Sequence, residues 1–350
     1  MTCRLGSRAR RPVRPAIATL LSLLAPLALA PTTLHSQAPP VELHVNAFAG
    51  ATNLPVWVAQ HEGLFARHGL VVTLEKPGGS VAQFQGLKDG RYPILITAFD
   101  NVVAYHSGQG AAEVGAIPDL VAVMGIDSGL LSLVATSGIT RIADLKGRTL
   151  AVDAPTTGFS FALRDMLARA GLTATDVTFI AAGNSDGRWK ALQDGRAQAA
   201  LLTLPADLEA ADQGAKVLAT VAGSFGHYLG NVVAVRRSWA DAHRTELQSF
   251  LQAVRDAQRW LSAREHRMRA IEILHAAMPA LDEAKLARAY EALATPSQGL
   301  IRDGALDAAA ARTVLDLRRK YAGGTQPTGD LDSFRDDRYR TSAAGDALRR

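Results

Sequence analysis

After Pro40 the sequence alternates short apolar runs with longer amphipathic ones, and this alternation constrains the fold more strongly than any other feature. The first series has strand-like runs at 41–48, 70–77, 92–99 and 119–126, separated by helical patterns at 54–69, 80–90 and 100–110. Because parallel neighbours need a crossover connection that is usually a helix, this order predicts an α/β fold with a mostly parallel sheet.

A second series follows the first. Its strand-like runs lie at 130–137, 148–155, 176–183, 197–204, 216–223 and 231–238, and its main helical patterns lie at 160–171, 185–195 and 205–214. From Asp241 to about Tyr321 the pattern is helical only, and the residues after Ala322 are rich in glycine, aspartate and arginine. We therefore predict two sheets, a C-terminal helical segment and a loosely ordered tail at 323–350.

The first 38 residues have the form of a secretion signal. A basic region at 4–14 holds five arginines and no acid, and an apolar run follows at 16–30. This run is too short to span a bilayer comfortably, and residues 28–30 (Ala-Leu-Ala) have the form of a cleavage site. We predict a signal peptide at 1–38 and a periplasmic protein. An uncleaved anchor is the alternative, and two adjacent arginines leave the twin-arginine route open.

The net charge of +5 comes from this leader, because the rest of the chain has equal numbers of basic and acidic residues. A neutral mature chain argues against nucleic-acid binding, which needs a basic surface. Cys3, the one cysteine of the sequence, also lies in the leader. The mature chain is therefore expected to have no disulfide, no thiolate nucleophile and no cysteine-based metal site.

Four turns at the carboxyl ends of predicted strands are the candidate functional segments. They lie at 50–55, 77–80, 99–101 and 155–160. Each turn brings backbone N–H groups and a helix N-terminus to the edge of a sheet, where open α/β sheets hold ligands and where anions are favoured. Helix capping by Asn53, Ser80, Asp100 or Ser160 explains the same residue types, so both interpretations stay open.

Aromatic residues give weaker signals. Trp57 and Phe161 fit either a pocket wall or the core, and Tyr228 falls in a loop that either lines a cleft or lies at the surface. The His-Glu-x-x-His motif and the phosphate-binding loop are missing from the sequence. We therefore predict no enzyme activity, no cofactor and no metal, although an active site assembled only in space stays open.

Six stretches together resemble one known family. They lie at 53–70, 78–90, 100–108, 142–155, 158–172 and 191–205. In this order they are similar to the NMT1/THI5-like and SsuA/TauA-type substrate-binding proteins of ABC importers, which have the type II periplasmic-binding-protein fold. The resemblance implies two lobes, with lobe 1 at 41–128 and 232–322 and lobe 2 at 129–231.

The resemblance also implies that ligand lies between the lobes. The predicted ligand-binding residues are Asn53, Leu54, Gly78, Gly79, Ser80, Phe99, Asp100, Asn101, Thr156, Thr157, Gly158, Phe159, Asn184 and Tyr228. Family relatives take sulfonates, nitrate-like anions or pyrimidine precursors of thiamine. The pyrimidine-synthesising enzymes among them use a cysteine-rich motif, which the mature chain lacks.

We accordingly expect a monomeric periplasmic solute-binding protein. It would capture a small anionic or heterocyclic solute by hinge closure and deliver it to an ABC permease in the inner membrane. Two alternatives stay open: an exported enzyme of the same fold that acts on a pyrimidine-like heterocycle, and a ligand sensor that docks on a receptor kinase.

Overall fold

The computed structural model describes residues 39–340 except Thr325 and Thr328, so the predicted signal peptide and residues 341–350 lie outside the described part. The strands in the described part are β1 (Val41–Ala47), β2 (Leu70–Glu75), β3 (Ile94–Ala98), β4 (Leu120–Gly125), β5 (Leu131–Ala135), β6 (Thr149–Val152), β7 (Thr178–Ala181), β8 (Ala199–Thr203), β9 (Lys216–Thr220) and β10 (Asn231–Arg236). The helices are α1 (Leu54–His61), α2 (Leu64–Arg67), α3 (Ser80–Lys88), α4 (Phe99–His106), α5 (Gly158–Arg169), α6 (Ser185–Gln193), α7 (Ala206–Asp212), α8 (Val221–Phe225), α9 (Arg237–Ala242), α10 (Arg244–Leu261), α11 (Arg267–Ala277), α12 (Glu283–Ala294), α13 (Ala308–Tyr321) and α14 (Leu331–Phe334).

The strands form two five-stranded sheets with equivalent topology. The first sheet has the order β2-β1-β3-β10-β4 and the second has the order β7-β6-β8-β5-β9. In the first sheet β10 is antiparallel to β3 and β4, while β1 is parallel to β2 and β3. In the second sheet β5 is antiparallel to β8 and β9, while β6 is parallel to β7 and β8. The predicted two-lobed α/β fold with mostly parallel sheets is confirmed.

Each sheet is buried on both faces, which explains why its strands read as continuous apolar runs. On β3, Ile94 and Ile96 pack on the outer face of the first sheet, whereas Leu95 packs on the inner face. The outer face is covered by α1, α2 and α10 to α12, and we call this cluster the outer core of lobe 1. Helix α10 contributes Phe250, Leu251 and neighbours at helical spacing.

The inner faces of the two sheets share one hydrophobic core. It contains Leu95 of the first sheet and Leu133 of the second, together with side chains of α4, α5 and α13. The remaining face of the second sheet packs only against α6 and α7, and this smaller cluster around Leu202 is the outer core of lobe 2. The two lobes are therefore joined by packing as well as by the chain.

Two predicted elements differ from the structure. The predicted helix at 54–69 is divided at Gly63, whose φ of 66° is a left-handed conformation that glycine adopts without strain. The predicted strand at 216–223 ends at Thr220, because the Thr220 side chain caps α8 through the N–H of Gly223. No helix in the described part is both long enough and apolar enough to cross a bilayer.

The C-terminal residues 329–340 differ from the prediction of a loosely ordered tail. Phe334 is 0% exposed and Tyr339 is 1% exposed. The backbone N–H of Asp336 donates to the carbonyl of Ala122 on β4 at 2.8 Å, and the Asp336 carboxylate pairs with Arg237. A few apolar anchors in a polar stretch are thus enough to hold this segment on lobe 1.

Candidate functional site

The segments that cross between the lobes are tied together by Asp127. Its Oδ1 accepts a hydrogen bond from the N–H of Gly129 at 2.9 Å, and its Oδ2 accepts one from the Asn231 side-chain amide at 2.7 Å. Burial raises the pKa of Asp127, and these hydrogen bonds oppose the rise. A Cβ at Gly230 would collide with the same carboxylate, so only glycine fits beside it. Asp127 therefore holds together the two segments that join the lobes, around Gly129 and Asn231, and we call these segments the hinge.

The predicted ligand residue Asp100 is engaged by another part of the chain. Its two carboxylate oxygens accept hydrogen bonds from Arg318 on α13, from Nε at 2.7 Å and from Nη2 at 2.6 Å. The side chains of Arg318 and Asp100 are only 2% and 3% exposed. Arg318 Nη2 also reaches the carbonyl of Thr156 in lobe 2 at 3.4 Å. The guanidinium therefore joins strand-end turns of both lobes.

The predicted turns of the two lobes meet at Gly158. A Cβ at Gly158 would collide with the Asp100 side chain, so the start of α5 approaches α4 as closely as backbone can. The first residue of α4, Phe99, is fully buried in the shared core. The lobes thus join at Gly158, Asp100 and Phe99. We call this contact the floor of the lobe junction.

Tyr228 lies beside this floor and is 3% exposed. Within the described part of the chain its hydroxyl has no hydrogen-bond partner. Burial raises the pKa of Tyr228, and the negative charges of Asp100, Asp127 and Asp153 raise it further. These acids belong to lobe 1, the hinge and lobe 2. The phenol therefore stays protonated where the three regions converge, and the surface-loop interpretation is wrong for this residue.

Lobe 2 adds a charged wall next to Tyr228. Asp153 directly follows β6 and accepts a hydrogen bond from the Thr157 hydroxyl at 2.6 Å. Burial raises the pKa of Asp153, against the positive charge of Arg188. Arg188 donates from Nε to the carbonyl of Leu201 at 2.7 Å and lies 5.9 Å from the ring centre of Phe159. A carboxyl group, a guanidinium and an aromatic ring are thus adjacent on one wall.

The other predicted residues of lobe 1 divide into buried and accessible ones. Leu54 is 0% exposed, and Asn53 is 3% exposed with its amide donating to the carbonyl of Phe48 at 2.8 Å. Neither Asn53 nor Ser80 caps a helix through its side chain, so the capping interpretation is wrong for both. The residues that remain reachable in lobe 1 are Gly78, Gly79, Ser80 and Asn101.

The predicted residues of lobe 2 are mostly reachable. Thr157 caps α5 by accepting from the N–H of Ser160 at 3.3 Å, and Asn184 caps α6 by accepting from the N–H of Gly187 at 2.9 Å. Thr156 and Asn184 are exposed, and Phe159 is half-buried. Two of these side chains therefore cap helices, and the cap of α5 is Thr157 instead of the expected Ser160.

Sequence reasoning missed Asp153, Arg188 and Arg318. The sequence does indicate two of them. Arg318 and Arg188 lie on otherwise apolar helix faces, and a charge on such a face needs a buried partner. Asp153 follows β6 directly, and Asp100 lies two residues after the end of β3. Among the residues that the structure describes, no group of histidine, cysteine, aspartate or glutamate has an arrangement that could hold a metal ion.

Solved structures place the fold among the periplasmic binding proteins. The alkanesulfonate-binding protein SsuA from Xanthomonas axonopodis pv. citri, bound to MOPS, matches with a TM-score of 0.67 and 18% identity over 86% of this chain and 100% of that one. The periplasmic nitrate-binding protein NrtA from Synechocystis PCC 6803 matches with a TM-score of 0.71 and 14% identity over 86% and 88%. The desulfurization enzyme DszB matches with a TM-score of 0.61 and 14% identity over 88% and 99%.

The sequence of the chain matches a protein-family model. The model of the NMT1/THI5-like family matches residues 51–266, which is more than half of the chain. The chain therefore belongs to the NMT1/THI5-like family, and the resemblance seen in its turns is confirmed. A comparison with curated proteins found no match.

Proposed function

We propose that this chain is the solute-binding component of an ABC importer, exported to the periplasm and acting as a monomer. The observation that carries the proposal is the unpartnered Tyr228 hydroxyl, which is held between lobe 1, lobe 2 and the hinge. Because this O–H has no acceptor among the described residues, it is free to donate to a solute held between the lobes.

The chemistry of the wall supports a small anionic or heterocyclic solute. Arg188 Nη2 makes no hydrogen bond within the described residues and would pair with a sulfonate, nitrate or carboxylate oxygen. The N–H groups at the starts of α5 and α6 favour the same charge. The Phe159 ring and the Asp153 carboxyl group would instead suit a pyrimidine-like ring with its N–H groups. The sulfonate and nitrate ligands named for SsuA and NrtA agree with the anionic class.

Transport would proceed by hinge closure. A solute held by lobe 2 gains the contacts of Gly78, Gly79, Ser80 and Asn101 only when lobe 1 closes on it. It therefore shifts the equilibrium towards the closed form by its differential affinity for that form. The closed form would then dock on the permease.

The proposal is tested by thermal shift with sulfonates, carboxylates, nitrate and pyrimidines. A ligand that binds only the folded protein raises the Tm in a concentration-dependent way. Tyr228→Phe should weaken the best ligand about threefold to tenfold, which corresponds to one net hydrogen bond, and should leave the Tm without ligand unchanged.

Tyr92→Phe is the matched control, because the Tyr92 hydroxyl already donates to Glu75 at 3.0 Å away from the lobe junction. Equal affinity for Tyr228→Phe and wild type would contradict the role of Tyr228. A flat Tm across the whole screen would contradict solute binding.

We also propose that the chain binds its solute without converting it. The fold itself permits catalysis, since the enzyme DszB shares it. Incubation of the protein with each ligand that raises the Tm, followed by mass spectrometry, should return the ligand intact. A new product mass that increases with protein concentration would favour the enzyme alternative.

A further inference from the structure

A cavity of about 440 Å³ lies on lobe 1, outside the junction of the two lobes. Its walls come from Leu54 at the start of α1, from the ends of α10 and α11 that face each other, from α12 and from the loop at 295–302. None of its lining residues belongs to the predicted lobe 2. The volume lies within the range of about 300–1,000 Å³ that small-molecule sites occupy.

The charge of this cavity is strongly positive. Arg264, Arg267 and Arg302 line it, and Glu291 is the one acid among the lining residues. Arg267 Nε already donates to Glu291 at 2.9 Å. The side chains of Arg264 and Arg302 make no ion pair or hydrogen bond with any residue that the structure describes. Two guanidinium groups are therefore available at the mouth of one concave surface.

A nearly buried phenol lies in the same cavity. Tyr290 is 6% exposed, and its hydroxyl has no hydrogen-bond partner within the described part of the chain. Burial raises the pKa of Tyr290, so the hydroxyl keeps its proton and can act as a donor. The Arg267 guanidinium lies 5.8 Å from the ring centre, which holds the ring in place. An anion in the cavity would satisfy this donor.

The rest of the wall is apolar. Ala294, Pro296 and Leu300 contribute accessible carbon surface beside the guanidinium groups. An inorganic ion would leave this surface in water, whereas a small organic anion covers it. We propose that the cavity is a second binding site, which takes a small organic anion with an apolar body and pairs the acid group with Arg264 and Arg302. This site is independent of the solute that the lobe junction takes.

The test uses 4-bromobenzenesulfonate as the probe, because bromine can be located directly by its anomalous scattering. A crystal of the mature protein soaked with the probe should show a bromine peak inside this cavity. Isothermal titration calorimetry should show binding to the same protein in solution. A bromine peak only between the lobes overturns the proposal, and so does a cavity peak without binding in solution, which would be binding at crystal concentration only.

Charge-reversal variants assign the solution binding to the cavity. Arg264→Glu combined with Arg302→Glu should weaken binding of the probe at this site at least tenfold, and Tyr290→Phe should weaken it about threefold. The matched control is Arg312→Glu, an exposed arginine on α13 that does not line the cavity. An unchanged Kd in the double variant overturns the proposal, as does an equal loss in the control.

Discussion

The two lobes have the same strand order but unequal helical coverings. The outer core of lobe 1 is built mainly by α1, α2 and α10 to α12, and contains Phe250 stacked on Phe65 at 5.4 Å. The outer core of lobe 2 has only α6 and α7 and is rich in alanine. Because apolar burial stabilises roughly in proportion to area, lobe 1 is the more stable half and lobe 2 depends on it.

The difference indicates which side of the molecule moves. The lobes share a core on the side of α4, α5 and α13, where Arg318 pairs with Asp100 of its own lobe and donates to the carbonyl of Thr156 in lobe 2. On the other side α12 meets α7 through exposed ion pairs of Arg288 and Lys285 with Asp212. Exposed pairs are weak, so opening should begin between α12 and α7 while α13 holds the opposite side.

The largest expected effect comes from breaking the buried ion pair of Arg318 with Asp100, which lies on the lobe 1 side of the junction. Asp100→Ala leaves Arg318 charged and unpaired in the shared core, and should lower the free energy of unfolding by about 3–5 kcal/mol. Urea denaturation measures the loss. The double variant Asp100→Asn with Arg318→Met removes both charges and should recover most of it. A loss below about 1 kcal/mol for the single variant would mean that this buried pair does not stabilise the shared core.

Matched leucine truncations compare the outer cores of the two lobes. Leu202→Ala in lobe 2 and Leu251→Ala in lobe 1 should each cost about 2–5 kcal/mol, because both side chains are almost fully buried. Native-state hydrogen exchange should show that Leu202→Ala lowers protection in lobe 2 alone, while Leu251→Ala lowers it in both lobes. If both variants lowered protection equally in both lobes, lobe 1 would not be stable independently of lobe 2.

Asp153 on the lobe 2 wall should make the stability of the protein depend on pH, with an effect smaller than that of the leucine truncations. Since the folded pKa of Asp153 is raised above the unfolded value of about 3.9, the folded state holds this proton more tightly. Its contribution is therefore complete below the unfolded pKa and declines as pH rises through the folded pKa. Asp153→Asn should remove this decline, measured as Tm against pH. An unchanged slope would show that Asp153 titrates normally.

The smallest effect is expected where the lobes meet at the exposed rim. Asp212→Asn removes the partner of Arg288 and Lys285, and should raise the population of the open form by less than about fivefold. Fluorescence energy transfer between labels on α12 and α7 reports this population. Asp194→Asn, which breaks an exposed pair with Lys190 within lobe 2, is the control and should leave the transfer efficiency unchanged.

Local patterns predicted the fold well because its elements have strong local signals. Strands such as β3 and β10 are continuous apolar runs, and helix stops such as Gly171 have the left-handed φ that the sequence indicates. The ion pair of Asp100 was harder to predict, because its partner Arg318 lies 218 residues away in the sequence. The predicted lobe boundaries and ligand-binding residues stay predictions.

The buried tail shows a further limit of local reasoning. Residues 329–340 have the composition of a flexible terminus, yet Phe334 and Tyr339 are held in the two cores of lobe 1. Two aromatic side chains in a polar stretch give no periodic pattern. Composition therefore failed where a small number of long-range contacts decides the conformation.

Strand β10 has a consequence for how the chain can fold. It lies between β3 and β4, so β4 has no neighbour in its sheet until residue 231 has been made. The first sheet therefore cannot be completed until the C-terminal half of the chain has been synthesised. The delay would suit the export proposed for this chain, because a sheet that cannot close early leaves the chain unfolded enough for translocation.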